Sequence, residues 1–388
     1  MDDKFKQMSN AVARLNAELK GDKAIWAIIV IMAIFSLLAV YSSTGTLAYK
    51  YRGGDTEAFL LKHGLILVGG LLLTYLCHNM SYMTFNRAAP VLLVLSVPLL
   101  VYTMAFGVET NEARRWIEIP VVGVTFQTSD FAKLALIIYV ARAISSKQDY
   151  IKDLGSAFLP IIVPILIVCG LIAPSDLSTA VLLFVICTLM MFVGRVSVKY
   201  ILLLLLLGVM VFSMLIALGD IFPEFIRSAT WKSRIRDFVL EEGGGYQVQQ
   251  AKIAIANGEW FGLGPGNSIQ RNYLPSPYAD FIYAIIIEEY GLLGGALILL
   301  LYVMLFIRIT KLVTKSPKAF GAMVALGLSL LLIIQAFVNI AVSVHLVPVT
   351  GLTLPMISMG GTSVLFTCIA FGIILSVSKY VETISKMA

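Results

Sequence analysis

A chain of 388 residues that is 59% hydrophobic and only 13% charged stands far from a soluble domain, which is about half apolar and about a quarter charged. Its apolar runs are unbroken rather than alternating, which excludes an outer-membrane barrel and leaves an all-α polytopic membrane protein. The net charge of +6 calls for no nucleic acid, because membrane topology and contact with anionic lipid account for it.

Residues 1–23 form a polar, charged segment with no convincing small-residue cleavage site after it, so the first apolar run reads as an uncleaved helix. About ten runs of spanning length follow, near 24–44, 58–77, 88–108, 129–146, 156–173, 176–194, 199–220, 279–308, 318–342 and 357–378. The chain thus divides into a cytoplasmic segment, 1–23; seven helices, 24–220; a large outer loop, 221–278, with an amphipathic interfacial helix; and three more helices with a short cytoplasmic tail, 279–388. Cys77, Cys169, Cys187 and Cys368 all fall in or at the ends of spans, and imply no disulfide framework. Lysine and arginine crowd one set of short connections, among them Arg142, Lys147, Arg308, Lys311 and Lys315. The other set holds only Lys50, Arg52, Arg114 and Arg115. Both termini are therefore expected in the cytoplasm.

With that orientation, the segments richest in polar and turn residues lie outside, where no nucleotide triphosphate is available. Synthesis there must consume a donor activated beforehand, such as a lipid-linked diphosphate. In chain order, Arg114 and Arg115 beside Trp116 read either as interfacial anchors or as paired guanidinium groups suited to a diphosphate. Thr128 or Ser129 is expected to cap the fourth span. Asp130 and Lys133, three apart, read both as an ion pair of its first turn and as groups lining a cavity. Asp176 opens the sixth span and reads as an N-cap. In the outer loop, Trp231, Ile235, Phe238 and Val239 recur at helical spacing opposite Lys232, Arg234 and Arg236, an amphipathic stretch whose basic face attracts phosphate. Gly262, Gly264 and Gly266 follow no strand, so they serve close backbone approach or flexibility rather than nucleotide binding.

Asp280 stands at the entrance of the eighth span. On a continuous helix Glu288 would lie roughly 12 Å deeper and about 80° round, and Glu289 on the opposite face, so neither completes a glycosidase carboxylate pair with it. A transferase with a diphosphate leaving group needs no acid. One carboxylate suffices there, as general base on an acceptor hydroxyl.

The stretch "LPSPYADFIYAIIIEEYG", together with "NEARRWI", "FQTSDFAKL", "YQVQQAKIAIANGEWFGLGPGNS" and "PVTGLTLPMISMGGTS", resembles the SEDS family, which includes FtsW, RodA and SpoVE. Thr128, Asp130, Ser175 and Ser178 depart from the family's usual F-Q-P-S-E and P-D-[LF]-G-T. The resemblance implies a peptidoglycan glycosyltransferase that polymerises lipid II at the outer face of the cytoplasmic membrane with inversion. Its partners would be a class B penicillin-binding protein and other divisome membrane proteins. Asp280 then matches the catalytic aspartate. Lys133, Arg114, Arg115, Arg234 and Arg236 are the candidates to hold the diphosphate, and Asp130, Asp176 and Glu288 to orient the cavity. No metal ligands are identified. No D-x-D motif decides whether magnesium or manganese takes part, and no other cofactor is implied. The short inner tail and "VYSSTGTLAYKY" look more like FtsW than RodA, which implies a role in septal wall synthesis. The rival readings are a lipid II flippase, which would need comparable polar groups at the midplane and inner side, and a scaffold that recruits the transpeptidase.

Overall fold

The computed structural model describes residues 20–45, 56–110, 113–119, 124–221, 228–240 and 245–387. Lys50, Arg52 and residues 1–19 lie outside them.

Three helices come first: α1 (Lys23–Ser43), α2 (Thr56–Asn79) and α3 (Tyr82–Phe106). Asp22 caps α1, its carboxylate accepting from the Ala24 amide at 2.8 Å. A three-stranded antiparallel sheet follows, which the all-helical expectation lacked: β1 (Val108–Thr110), β2 (Ala113–Ile119) and β3 (Val124–Gln127), in the order β1-β2-β3. Trp116, Ile117 and Ile119 on β2 give it strand propensity, and the register pairs Trp116 with Gln127 and Ile117 with Phe126. The Thr362 hydroxyl accepts from the Gln127 amide at 3.2 Å and donates to the Thr125 carbonyl at 3.2 Å, fastening β3 to the last helix.

The chain passes from β3 directly into α4 (Thr128–Ser146), then α5 (Leu159–Ile172, entered through a π turn at Leu154–Phe158), α6 (Leu177–Val193) and α7 (Val198–Ile221). The stretch between α7 and α10 carries α8 (Ser228–Leu240) and α9 (Tyr246–Gly258). The chain ends with α10 (Ile282–Lys315), α11 (Ala319–Ser343) and α12 (Thr362–Met387). Among the described residues eight helical segments are long and apolar enough to cross a membrane, so this is a multi-pass membrane protein. α6 is apolar but shorter, at 17 residues, and α4 carries Asp130, Lys133 and Arg142.

Burial separates the roles of these helices. Ala132, Leu136, Ile137, Val140 and Ala141 of α4 are fully buried, and α11 and α12 wrap it with long buried faces. By contrast Leu65, Val68 and Leu72 on α2, and Leu202, Leu206 and Val209 on α7, point outward, as lipid-facing side chains do.

α10 is not continuous. At Gly291 (φ 71°, ψ −175°) the helix breaks, freeing the carbonyls of Glu288 and Glu289 and the amides of Leu292 and Leu293. The turn after α9 satisfies all four: Leu263 N donates to Glu288 O (2.9 Å), Gly264 N to Glu289 O (3.0 Å), Leu292 N to Glu259 O (2.8 Å) and Leu293 N to Trp260 O (3.4 Å). A broken helix survives in hydrocarbon only when its backbone groups find partners in the protein. A Cβ at Gly258, Gly262 or Gly291 would overlap this contact, so these glycines serve close backbone approach.

Candidate active site

The first turn of α4, the start of α6, helix α8 and the turn before α10 converge at one end of the bundle. Arg115, projecting from β2, donates through Nε (2.9 Å) and Nη2 (2.6 Å) to the Ser175 carbonyl, and its Nη1 lies 3.2 Å from Asp176 Oδ2. Asp176 also caps α6, accepting from the Thr179 amide at 3.2 Å. Thus one carboxylate serves as helix cap and counter-ion together. Lys133 Nζ meets Asp130 Oδ1 at 2.7 Å, with both side chains almost wholly buried, and the Ser363 hydroxyl donates to Asp130 Oδ2.

Two expectations are corrected here. Neither Thr128 nor Ser129 caps α4: Gln127 stands at the N-cap and donates through its side-chain amide to the Ser129 hydroxyl at 3.0 Å. Nor do Asp130 and Asp176 orient one shared cationic cluster. The Arg115 side lies over a hollow of about 10 Å³ with Thr128 and Ser129, while Asp130 and Lys133 line a separate one of about 20 Å³ with Gln335 and Ser363. Each space is about the size of a water molecule. A buried charge is costly without a partner close by, so each carboxylate has found its own cation.

Asp280 lies in the turn just before α10, outside the helix itself. Its backbone is fixed from several sides. Asn339 of α11, buried, donates from one amide nitrogen to the carbonyls of Asp280 (2.8 Å) and Leu352 (2.7 Å). The Ser358 hydroxyl donates to Ala279 O at 2.7 Å, and Met359 N to Tyr278 O at 2.9 Å. One turn before Asn339, Gln335 donates to Thr353 O at 2.9 Å, so a single polar stripe on α11 holds the 350–359 segment against the Asp280 turn. Lys133 lines its hollow with Asp130, Gln335 and Ser363. It meets this stripe one helical turn away, at Gln335.

The Asp280 side chain is half-buried and makes no salt bridge among the described residues, unlike Asp130 and Asp176. Burial pushes its carboxyl above the usual range; Arg234 and then Arg115 pull it back, and Asp176 adds to the rise. Gly351 (φ 75°) lies between Asp280 and Arg234: a Cβ built on it would be 3.9 Å from both Asp280 Oδ2 and Arg234 Nη2.

On α8 the structure revises the amphipathic reading. Trp231, Arg234 and Phe238 share the inward face, Arg234 Nη1 donating to Thr350 O at 3.2 Å, while Ile235, Val239 and Arg236 are exposed. Spacings of three and seven place Arg234 and Phe238 beside Trp231, so hydrophobicity alone misplaces Arg234. Arg236 is thus not brought to Asp280. Arg114 pairs with Glu109 in the β1–β2 register, and its side chain lies outside the described residues.

Glu288 is the remaining correction. It does not join the Asp280 surroundings. Its carboxylate accepts from the Ser268 hydroxyl, from Asn257 Nδ2 (3.3 Å) and from the amides of Ile269 (3.3 Å) and Gln270 (3.2 Å), anchoring the loop that leads to Asp280. Beside it Glu289 accepts from Ser42 of α1. The continuous-helix projection missed this because the break at Gly291 brings the loop backbone down to the glutamates. Sequence reasoning likewise missed Asn339, an amide among apolar residues of α11, and its isolation there was the signal available.

Among the described residues no three His, Cys, Asp or Glu side chains converge to hold a metal ion.

The FTSW_RODA_SPOVE family model, described as "Cell cycle protein", matches residues 22–383. The chain is 35% identical over 370 residues to the "Probable peptidoglycan glycosyltransferase FtsW" of Trichlorobacter lovleyi, covering 92% of this chain and 93% of that one. It is 33% identical over 363 residues to "Stage V sporulation protein E" of Bacillus subtilis, covering 91% and 95%. Its fold matches a chain of the solved structure "Structural coordination of polymerization and crosslinking by a peptidoglycan synthase complex", with TM-score 0.68, 24% identity, and 93% and 98% coverage. With sequence similarity and fold agreeing over nearly its whole length, the chain belongs to the FtsW/RodA/SpoVE family.

Proposed function

We propose that this protein is a peptidoglycan glycosyltransferase that polymerises lipid II at the outer face of the cytoplasmic membrane, with both termini in the cytoplasm and a role in septal wall synthesis. The observation that carries the mechanism is that Asp280, alone of the three aspartates gathered here, makes no salt bridge among the described residues. A general base must be free to accept a proton, and a carboxyl raised by burial is closer to the basicity that neutral pH requires. Asp280 takes the proton from the 4-hydroxyl of the acceptor sugar. The oxygen attacks the anomeric carbon of the growing chain from the face opposite the polyprenyl diphosphate. The bond from that carbon to the diphosphate oxygen breaks, its electron pair leaves on the diphosphate, and the anomeric centre inverts. Arg115 and Arg234, the cations in electrostatic reach of Asp280, stabilise the departing anion. Lys133 acts at the same end only if its pair with Asp130 opens. A divalent cation, where one takes part, arrives with the substrate diphosphate, whose oxygens suit magnesium or manganese.

A crosslinking partner, a class B penicillin-binding protein, is supported by the solved peptidoglycan synthase complex, one chain of which shares this fold; other divisome membrane proteins are proposed beside it. The test is polymer formation from labelled lipid II by the purified pair. Asp280→Asn is expected to abolish product while folding and partner binding persist; polymer from the variant would defeat the base assignment.

Lipid II transport is the second reading. One observation favours it: a hollow of about 560 Å³ at the opposite end of α10, lined by Arg308, Lys311 and Lys315. Translocation of labelled lipid II in vesicles, absent when these three are neutralised, would support it.

A further inference from the structure

Beside Arg234 lies a cavity of about 150 Å³ between α8, the start of α9 and the turn after α11. Its wall includes Arg234, Asp237, Tyr246, Gln247 and His345. Most of these have an ordinary structural explanation. Asp237 accepts from the Ser233 hydroxyl at 3.3 Å, one helical turn away. His345 has a left-handed backbone (φ 60°) because it ends α11: its amide donates to Val342 O at 3.0 Å, and Leu346 N donates back to Ala341 O at 2.8 Å. That is a helix C-terminal motif that glycine or asparagine usually occupies, so the conformation alone asks for no ligand.

The His345 side chain does. Its Nε2 is buried without a hydrogen-bond partner among the described residues, although the ring is oriented by an edge-on contact with Phe238 at 5.1 Å. A buried polar atom left unpaired is destabilising by itself. Burial and the nearby Lys252 hold the imidazole below its usual range.

The lining is chemically particular. Among the described residues the wall carries one guanidinium and one carboxylate, with the amide of Gln247, the phenol of Tyr246 and the imidazole as its remaining polar groups. It suits a neutral polyol, whose hydroxyl and acetamido groups both donate and accept while its carbon faces rest on aromatic edges. The position is equally particular, because Arg234 borders this cavity and Gly351 stands beside both Arg234 and Asp280, a Cβ built on it being 3.9 Å from each. We propose that this cavity is a saccharide subsite, holding the acceptor sugar next to Asp280 through hydrogen bonds from its hydroxyl and acetamido groups to His345, Asp237 and Gln247. The assignment rests on the glycosyltransferase reading above.

The test separates binding from chemistry. His345→Gly removes the side chain while supplying the residue best suited to that backbone, so folding is preserved and a thermal melt checks it. Assayed with labelled lipid II and the transpeptidase partner, His345→Gly is expected to raise KM roughly tenfold, the worth of one buried hydrogen bond, with kcat within about twofold of wild type. His345→Asn, which tolerates the same backbone and keeps a hydrogen-bonding side chain, recovers part of that loss. An unchanged KM, or a fall in kcat at constant KM, overturns the subsite. Asp280→Asn runs in parallel: its loss of product with His345→Gly unaffected removes the subsite alone, whereas product from Asp280→Asn removes the reading beneath it.

Discussion

The two ends of α10 handle charge in opposite ways. At the Asp280 end, acids and cations are buried and held by named partners: Asp130 by Lys133, Asp176 by Arg115, Glu288 by Ser268 and two loop amides. At the Lys315 end, Lys311 and Lys315 are exposed and make no salt bridge among the described residues. Of the acids beside them, Asp22 caps α1 and lies 3.7 Å from Arg308, a half-exposed pair, while Glu382 accepts from Lys386 and the Gly21 amide. Desolvation explains the contrast. A charge that keeps its water needs no partner, while one that loses it must be matched closely. The lesson is that the precise end is the one whose geometry was built, and within it Asp280, half-buried with no salt bridge among the described residues, is the informative residue.

Substitutions can break or sharpen this contrast. The largest effect is expected from Asp280→Asn, a loss of about a hundredfold to ten-thousandfold in polymerisation, measured as glycan formed from labelled lipid II. Glu288→Ala leaves the Ser268 hydroxyl and two amides without their acceptor and is expected to destabilise the protein by about 3 kcal/mol, seen as a lowered thermal midpoint in detergent. Asn339→Leu removes both donations to Asp280 O and Leu352 O. It is expected to cost about 2 kcal/mol and to lower kcat more than it raises KM, because the base is displaced while the substrate contacts remain.

A smaller effect tests the electrostatics. Arg115 lowers the Asp280 carboxyl and Asp176 raises it, so Arg115→Gln moves that carboxyl further up. The base works deprotonated, so activity falls as pH drops through its titration, and the acid limb of the rate profile should shift to higher pH. Movement toward lower pH would contradict the assignment. Least of all, Lys311→Gln with Lys315→Gln should leave polymerisation unchanged and stability within about 0.5 kcal/mol per site, since exposed substitutions rarely do more. A marked loss of polymer would show that the two ends are coupled.

Much of the molecule was legible beforehand. Apolar runs located the membrane helices, because hydrocarbon demands side chains of that kind for the length of a span. Asp280 and Asp176 were legible as acids at helix entrances, and Arg115 as an interfacial guanidinium. Arg234 was named but put on the wrong face, because hydrophobic spacing weighs Ile235 and Val239 as inward when lipid or the interface takes them equally well. The sheet at 108–127 was missed, since short strands beside long helices carry little periodic signal.

The sequence by itself determined the membrane-embedded helical class, the family's motifs and the identity of the lone acid at the entrance of α10. These depend on composition and local order, which hydropathy and spacing report directly. Only the tertiary structure decided that Glu288 anchors a loop, that Asn339 clamps the Asp280 backbone, and that Lys133 and Arg115 serve separate hollows. Each of those facts is a contact between residues distant in the chain, and in a membrane, where interior and lipid-facing residues are alike apolar, burial partners cannot be read from polarity.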